Sequence, residues 1–348
     1  MTRVDQAGEL AIVARLQQIY AGDRPDAALD PGDDGVTIGI GDDAAVVRAQ
    51  GALALCVDSV EAGCDWLPGV TPPEAIGHRA AAVNLSDLAA MGAAPRWLLV
   101  ALRLAPDDAV ADLERAAAGL QALAQAHGAR VVGGDLDIGP GPQRWTVAAA
   151  GEIRGWPLAR SQARPGDVLW LIGEVGHAAF GLRWLTSHAG SFVGELAWPV
   201  AETHPAHAHL VPRPLVAAGC ALAEHGAGIA AIDVSDGLWL DAERLARASG
   251  VDLTIDLPRP AWLSRERALW CDRAGFDWRA ACAAGGDDYA LLVAAPAEVD
   301  VTTLVARADP TARLQRIGHA AAGRGEVRVQ IDGIDVAGAR HGHLYGKQ

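Results

Sequence analysis

Aspartate-bearing turns rich in glycine, serine or asparagine recur along this chain, and they limit most strongly what it can fold into. The six segments are Gly39–Asp43, Val57–Ser59, Asn84–Asp87, Gly133–Asp135, Ile232–Gly237 and Gly285–Tyr289. Several of them follow stretches of strand-like composition, and α/β folds place their ligands where strands end. The pattern therefore predicts alternating strands and helices, with an acidic site built at strand ends.

Carboxylates that a fold brings together need compensating positive charge. Two of them repel by about 4 kcal/mol at ~4 Å when the effective dielectric is ~20. Lys347 is the only lysine, so no internal lysine can hold a phosphate or form a Schiff base. This excludes P-loop enzymes, protein kinases and pyridoxal enzymes, each of which places a lysine at the reacting group. Divalent metal, arginine and backbone N–H groups remain as partners for a phosphorylated ligand.

Net charge and composition limit the possible cellular compartments and the classes of binding partner. The net charge of −14 and the sequence pI of about 5.1 argue against a nucleic-acid or anionic-membrane partner. The five cysteines include no C-x-x-C pair, which excludes a zinc knuckle and a disulfide framework. No apolar run reaches the roughly 20 residues of a membrane span, and the N-terminal segment lacks the apolar core of a signal peptide. We therefore expect a cytoplasmic enzyme.

Hydrophobic periodicity and Gly/Pro punctuation predict an alternation of helices and strands. The predicted helices cover Glu9–Tyr20, Pro73–Met91, Asp107–His127, Ala178–Ser187 and Leu238–Ser249. The predicted strands are Ala44–Arg48, Leu53–Asp58, Trp97–Leu104, Arg130–Val132, Trp145–Ile153, Val168–Ile172, Ile229–Asp233, Val251–Ile255 and Tyr289–Ala294. Such an alternation indicates an α/β or α+β layered structure.

A domain boundary is predicted where proline, glycine and tryptophan interrupt the chain at Gly155–Pro165. At 348 residues the chain is long enough for two domains of ordinary size. The pattern of strands and helices also restarts beyond this segment. We therefore predict domains over residues 1–155 and 156–348.

Each aspartate motif alone is weak, but their order and spacing together are specific. The set comprises Gly39–Asp43, Asn84–Ala93, Gly133–Asp135, Arg160-Ser161 before Arg164–Asp167, Ile232–Leu238 and Gly286–Tyr289. It resembles the thiamine-monophosphate kinase family over nearly the whole chain. The resemblance implies the two-domain α+β fold of the aminoimidazole-ribonucleotide synthetase-like superfamily. That fold has an N-terminal sheet domain that dimerises and binds metal and ATP, a C-terminal α/β domain, and ATP between the domains.

The resemblance also implies roles for individual residues. It assigns six aspartates to Mg²⁺ ions that bridge ATP and the acceptor phosphate: Asp43, Asp58, Asp87, Asp135, Asp233 and Asp236. Asp87 and Asp236 organise the metal, and no side chain serves as a covalent nucleophile. The nucleotide-contacting positions are Gly134, Asp135, Arg160 and Ser235. Cys56 stands where the family commonly has Ser or Thr, and a thiol is a poor Mg²⁺ ligand.

Departures from the family pattern fall on the acceptor side. Asp65 stands where a substrate-contacting His is usual, Asp287 replaces a Glu, and Arg340 lies in a replaced aromatic C-terminus. Asp65 and Arg340 predict that charge on the organic part of the acceptor is read differently, whereas Asp287 is one methylene shorter than the Glu it replaces. Neutral drift within one activity is an equally open interpretation, because kinship of fold does not fix the substrate.

The sequence thus predicts an ATP- and Mg²⁺-dependent phosphotransferase whose leading acceptor is thiamine monophosphate. One alternative is a kinase or synthetase of the same superfamily that acts on a different phosphorylated small molecule. A second is a non-catalytic regulator that binds nucleotide or metal. We expect a homodimer, because the apolar strand Trp97–Leu104 is hard for a small domain to cover alone.

Overall fold

A computed structural model describes residues 2–21, 35–40, 43–191 and 196–336 of the protein. The chain forms two compact units. Unit 1 contains residues 1–88, 94–152 and 192–200, and unit 2 contains residues 89–93, 153–191 and 201–348. The predicted boundary at residue 155 stays a prediction. No helix of the described residues is long and apolar enough to cross a membrane.

The strands and helices alternate along the chain. The helices are α1 (Val4–Ala7), α2 (Glu9–Ala21), α3 (Pro73–Ala90), α4 (Val110–Ala126), α5 (His177–His188), α6 (His207–Leu210), α7 (Val216–His225), α8 (Leu238–Ser249), α9 (Arg265–Ala274), α10 (Trp278–Ala284) and α11 (Val301–Ala308). The strands are β1 (Val36–Ile38), β2 (Val46–Val47), β3 (Ala52–Glu61), β4 (Ala93–Leu104), β5 (Arg130–Ile138), β6 (Arg144–Ile153), β7 (Val168–Ile172), β8 (Ala230–Val234), β9 (Val251–Leu257), β10 (Ala290–Ala295), β11 (Leu314–Ala322), β12 (Val327–Ile331) and β13 (Ile334–Asp335).

Unit 1 is built on a four-stranded sheet in the order β3-β6-β4-β5, with a separate two-stranded sheet of β1 and β2. Helices α3 and α4 approach until their backbones touch, because each has a glycine at the contact. A Cβ on Gly77 would lie 1.7 Å from the Ala116 carbonyl oxygen, and one on Gly119 would lie 2.1 Å from that of Glu74. Arg115 also donates two hydrogen bonds to the Glu74 carboxylate, at 2.9 and 2.8 Å. The helix pair is therefore held at close spacing.

Unit 2 is built on a seven-stranded sheet in the order β13-β12-β9-β11-β7-β10-β8. Neighbouring strands are antiparallel except for the parallel pair β9 and β12. Strand β10 is buried along its whole length, as expected for a strand whose two faces are both covered. The amphipathic helix α8 buries Leu238, Trp239 and Leu245 in the same core as β8. This packing fixes where β8 ends and α8 begins.

Two of the predicted aspartate turns are wrong, because they lie inside strands. Val57–Ser59 falls within β3, and Gly133–Asp135 falls within β5. Strand β5 pairs in parallel with β4, and the register shifts at Gly133. A Cβ on Gly134 would lie 2.0 Å from the Val100 carbonyl oxygen. The glycines therefore allow a close approach of two strands rather than a turn, since sheet pairing overrides local turn propensity.

Candidate active site

In unit 1, two of the predicted metal-binding aspartates lie beside one junction of a strand and a helix. The Cys56 thiol of β3 donates to the Asn84 carbonyl oxygen of α3 at 3.4 Å. Asp58 is two residues beyond Cys56, on the same face of the strand, and Asp87 is three residues beyond Asn84, on the same face of the helix. Asp58 is exposed and Asp87 is half-buried. Both aspartates therefore lie on the faces of β3 and α3 that carry Cys56 and Asn84.

Asp135 occupies the opposite edge of the same sheet. It lies on β5, and β3 is the other edge strand, so three strand spacings separate the two edges. At about 4.8 Å per spacing the separation is roughly 14 Å along an untwisted sheet. Among the described residues, no group of three or more His, Cys, Asp or Glu side chains lies close enough to hold a metal ion. The metal-binding assignments therefore stay predictions.

Asp43 is exposed just before β2, and its predicted neighbour in the motif, Asp42, lies outside the described residues. Asp65 is half-buried, and its carboxylate accepts the Glu61 N–H at 2.7 Å. The carboxylate of Asp65 thus closes a local turn at the end of β3. Arg340 lies outside the described residues. The predicted acceptor role of these two residues stays a prediction.

In unit 2, the structure brings two of the predicted motifs together at the ends of β8 and β10. The Asp287 N–H donates to the Ser235 carbonyl oxygen at 2.8 Å, and the Tyr289 N–H donates to that of Val234 at 2.9 Å. The Tyr289 hydroxyl also donates to the Asp287 carboxylate at 3.0 Å. Asp233 is buried on β8. These hydrogen bonds join the two turns into one rigid edge.

Asp287 and Tyr289 both have left-handed backbone conformations, with φ of 59° and 51°. Residues other than glycine rarely adopt this conformation, and such strain gathers at functional sites. The predicted substrate residue Asp287 is also buried. The backbone of this turn is therefore held by the hydrogen bonds of its neighbours rather than by its own preference.

An arginine that the sequence analysis did not single out neutralises Asp236. Arg244 Nη1 lies 2.5 Å from Asp236 Oδ2 and 2.7 Å from Asp241 Oδ1. The other oxygen of Asp241 accepts the Asp236 N–H at 3.0 Å. Burial raises the pKa of Asp241 to about 7. The signal in the sequence was the spacing: Asp241 and Arg244 are three residues apart on α8, so they share a helix face.

Arg160, a predicted nucleotide-contacting residue, begins a short 3₁₀ turn, Arg160–Gln162. The Ser249 hydroxyl at the end of α8 donates to the Arg160 carbonyl oxygen at 2.6 Å. This hydrogen bond fixes the backbone of the turn, while residue Arg160 itself is exposed. The guanidinium therefore has the solvent access that a phosphate-binding role requires.

Asp288 caps the N-terminal end of α5 from a half-buried position. Its two carboxylate oxygens accept the Gly176 and Ala178 N–H groups at 2.6 and 2.9 Å. Burial raises the pKa of Asp288 to about 7, against the opposing effect of these backbone donors. The carboxylate therefore connects the turn at residues 286–289 with the β7–α5 turn, at a cost that depends on pH.

The cost should appear as a pH dependence of the free energy of unfolding. An unfolded Asp loses its proton near pH ~4, whereas native Asp288 keeps its proton up to about 7. This group therefore lowers the free energy of unfolding as pH rises through that window. We compare the melting temperature of Asp288→Asn with that of wild type at each pH. We expect the difference, variant minus wild type, to be more positive at about pH 8 than at about pH 5. The matched control is Asp256→Asn at an exposed site on β9, and equal pH profiles for wild type and Asp288→Asn would contradict the assignment.

Comparison with known proteins identifies the family. Residues 41–153 match the N-terminal domain of AIR synthase related protein, and residues 164–330 match its C-terminal domain. Thiamine-monophosphate kinase of Salmonella typhimurium is 34% identical over 299 residues, which cover 83% of each chain. The chain belongs to the thiamine-monophosphate kinase family. The predicted family and the predicted two-domain α+β fold are thus confirmed.

Solved structures of the thiamine-monophosphate kinase family agree over almost the whole chain. The thiamine-monophosphate kinase of Stenotrophomonas maltophilia K279a is 34% identical, with a TM-score of 0.73 over 94% of this chain and 97% of that one. A second structure, AaThiL complexed with AMPPCP and TMP, is 26% identical, with a TM-score of 0.68 over 97% of both chains. The family therefore includes a member seen with an ATP analogue.

Proposed function

We propose that the protein transfers the γ-phosphoryl group of ATP to thiamine monophosphate and releases thiamine diphosphate and ADP. The observation that carries the proposal is the 34% identity to a thiamine-monophosphate kinase over 83% of the chain. A relative of the same fold is described as a complex with AMPPCP and TMP. A phosphate oxygen of the acceptor attacks the γ-phosphorus in line, and the bond to the bridging oxygen of ADP breaks. No phosphoenzyme forms, because alignment and charge neutralisation suffice for this transfer.

Mg²⁺ is the cofactor that we propose. The chain offers carboxylate oxygens, which are the ligands that Mg²⁺ prefers. It has no internal lysine that could neutralise the phosphate charge in place of the ion. The residues that we propose as ligands of the Mg²⁺ ions are Asp43, Asp58, Asp87, Asp135, Asp233 and Asp236. When bound, Mg²⁺ supplies neutralisation of the charge on the ATP phosphates. Exposed Asp58 and half-buried Asp87 at the β3–α3 junction fit this role.

The remaining residues of the proposed site act without metal. Gly134 and Ser235 offer backbone and hydroxyl groups to the nucleotide, and the exposed Arg160 offers a guanidinium to phosphate. Arg244 binds Asp236 before any ligand arrives. Asp236 is thereby held at a fixed position, and its negative charge is balanced in the ligand-free protein.

Two departures from the family pattern support a second candidate function, a kinase for another phosphorylated small molecule. Asp65 in place of His changes the charge offered to the organic part of an acceptor, and Asp287 in place of Glu moves a carboxylate back by one methylene. Their observed contacts, a turn and a buried hydroxyl partner, weaken this case. A non-catalytic regulator is disfavoured by the presence of all six aspartates in the sequence.

We propose a cytoplasmic homodimer that works without nucleic acid or membrane. Strand β4 supports the dimer less than the sequence suggested, because Trp97, Leu98 and Val100 are buried within unit 1. The exposed large apolar side chains of the four-stranded sheet are Leu99 on β4 and, on the edge strand β3, Leu53, Leu55 and Val57. A solvent-facing edge strand with an apolar face is a pairing surface.

The deciding experiment measures ADP release with ATP, Mg²⁺ and a panel of phosphomonoesters. We expect thiamine monophosphate to give the highest kcat/KM, a product of thiamine diphosphate, and complete loss of turnover when a chelator removes divalent metal. Turnover with a different monophosphate, and none with thiamine monophosphate, would favour the second candidate, a kinase for another phosphorylated small molecule. If no monophosphate gives ADP release, the result would favour the non-catalytic regulator.

A further inference from the structure

Arg244 of α8 is shared by two carboxylates that differ in burial. Its Nη1 lies 2.5 Å from Asp236 Oδ2 and 2.7 Å from Asp241 Oδ1. The Asp241 side chain is 1% exposed, whereas the side chains of Asp236 and Arg244 are 37% and 41% exposed. Exposed ion pairs contribute little to stability, whereas a buried carboxylate depends on its partner. The contact of Arg244 with Asp241 is therefore the fixed one, and its contact with Asp236 can be exchanged.

The backbone of Asp236 does not depend on the contact made by its own carboxylate. Asp241 Oδ2 accepts the Asp236 N–H at 3.0 Å. The next residue, Gly237, has a φ of 111°, and a Cβ there would lie 2.7 Å from Ala284 Cα of α10. The turn between β8 and α8 is thus held by Asp241 and by close contact with α10. The Asp236 side chain can therefore change partner while the turn stays in place.

The guanidinium of Arg244 has donors that the two carboxylates do not use. Its hydrogen bond to Asp241 and its close contact with Asp236 both involve Nη1. Its Nη2 and Nε donate no hydrogen bond to any described residue. An arginine can donate parallel N–H bonds from one edge of its planar fork to a phosphate group. The edge formed by Nη2 and Nε is therefore suited to a phosphate ligand.

Asp236 lacks the companions that a metal ion without a nucleotide would need. Among the described residues, no group of three or more His, Cys, Asp or Glu side chains lies close enough to hold a metal ion. In nucleotide sites Mg²⁺ keeps several waters and shares a small number of carboxylates with the substrate phosphates. The positive charge of Arg244 beside Asp236 also disfavours a bare divalent cation there. The arrangement therefore favours a metal ion that is bound together with phosphate.

We propose that Arg244 is a phosphate-binding residue that exchanges its contact with Asp236 for a contact with the phosphates of Mg²⁺-bound ATP. The inference rests on the proposed function, in which Asp236 is a ligand of Mg²⁺ and ATP is the phosphoryl donor. In the ligand-free protein, Arg244 neutralises Asp236. In the complex, Arg244 stays paired with Asp241 and donates from Nη2 and Nε to phosphate. Asp236 is thereby released to the metal, and no charge is left unpaired before or after the exchange.

Opposite shifts of two affinities test the exchange, both measured by titration calorimetry. The first titration uses Mg²⁺ alone, and the second uses ATP in saturating Mg²⁺. Arg244→Gln removes the charge and keeps a donor near Asp241. We expect its affinity for Mg²⁺ alone to rise about threefold to tenfold, because a cation beside the carboxylate is removed. Its affinity for ATP should fall at least about tenfold, because charge-assisted hydrogen bonds to phosphate are lost.

Three further variants assign these shifts to the charge and the shape of Arg244. Arg244→Lys keeps the charge without the planar fork, so Mg²⁺ affinity should stay within about twofold of wild type and ATP affinity should fall at least about threefold. Asp236→Asn combined with Arg244→Gln should lose the gain in Mg²⁺ affinity. The matched control is Arg247→Gln on the same helix, where Arg247 is exposed and pairs with Glu243 at 2.6 Å. This control should leave both affinities unchanged.

The outcomes separate the exchange from the reaction. A fall of both affinities in Arg244→Gln would overturn the exchange, because a purely structural role lowers both, and unchanged affinities would overturn it as well. In either case, ADP release by wild type with thiamine monophosphate would leave the proposed function standing. Opposite shifts without ADP release from any monophosphate would support the exchange and overturn the kinase, and a wild type that binds no ATP would overturn both. If the melting curve shows that Arg244→Gln is unfolded, the affinities of Arg244→Lys decide.

Discussion

Asp236→Asn should lower kcat at least about a hundredfold, the loss typical when one group that stabilises transition-state charge is removed. The substitution keeps the shape of the side chain and removes its charge. Arg244 retains its contact with Asp241 at 2.7 Å, so the helix start stays in place. The measurement is ADP release with saturating ATP and thiamine monophosphate. Asp87→Asn should behave in the same way.

Stability separates this loss from misfolding. The Asp236–Arg244 ion pair is more than one third exposed at both side chains, and exposed pairs contribute at most about 1 kcal/mol. We therefore expect the melting temperature of Asp236→Asn to stay within about 4 °C of wild type. Asp256→Asn, an exposed aspartate of the same unit, should keep full activity. Near wild-type turnover in Asp236→Asn would remove that residue from the proposed site.

Leu55→Asp should convert the proposed dimer into a monomer. Leu55 is 73% exposed on β3, between Leu53 and Val57 on the same face. A carboxylate in the middle of this patch has to be desolvated when two copies pair, and an unpaired buried charge costs several kcal/mol. Light scattering at micromolar concentration should show twice the monomer mass for wild type and the monomer mass for the variant.

The control for this substitution is Leu269→Asp. Leu269 is 52% exposed on α9 of unit 2. The same change of chemistry there should leave the mass unchanged. A monomeric wild type, or a dimeric Leu55→Asp variant, would contradict a dimer formed through β3.

Elements with strong local signals were predicted well from the sequence. Strand Val168–Ile172 and helix Leu238–Ser249 have the predicted bounds, and helix α4 begins three residues after its predicted start and ends one residue before its predicted end. Helix α8 combines a clear apolar face with the αL residue Gly250 at its end, so its limits follow from local chemistry. The order of the strands in the seven-stranded sheet could not be read this way, because pairing depends on residues far apart in sequence.

The site residues stay predictions, and the sequence analysis did not identify the contacts that the structure shows around them. Asp236 was singled out by its motif, whereas its cation Arg244 was not, although helix spacing from Asp241 would have indicated the pair. Gly133–Asp135 reads locally as a turn and lies in β5, since the partner strand β4 supplies hydrogen bonds that no local pattern contains. The conformation of Asp287, with φ of 59°, is likewise imposed by Ser235 and Val234 across the turn.

The five cysteines differ in solvent access, and this makes the chain suited to site-selective chemical labelling. All of them lie in the described residues, and Cys64 alone is exposed. Burial raises the pKa of the Cys271 and Cys220 thiols to about 11, so those thiols are poor nucleophiles at neutral pH. Cys64 sits in the turn that Asp65 closes. A single maleimide fluorophore at Cys64 would therefore report conformational changes of this turn without any engineered cysteine.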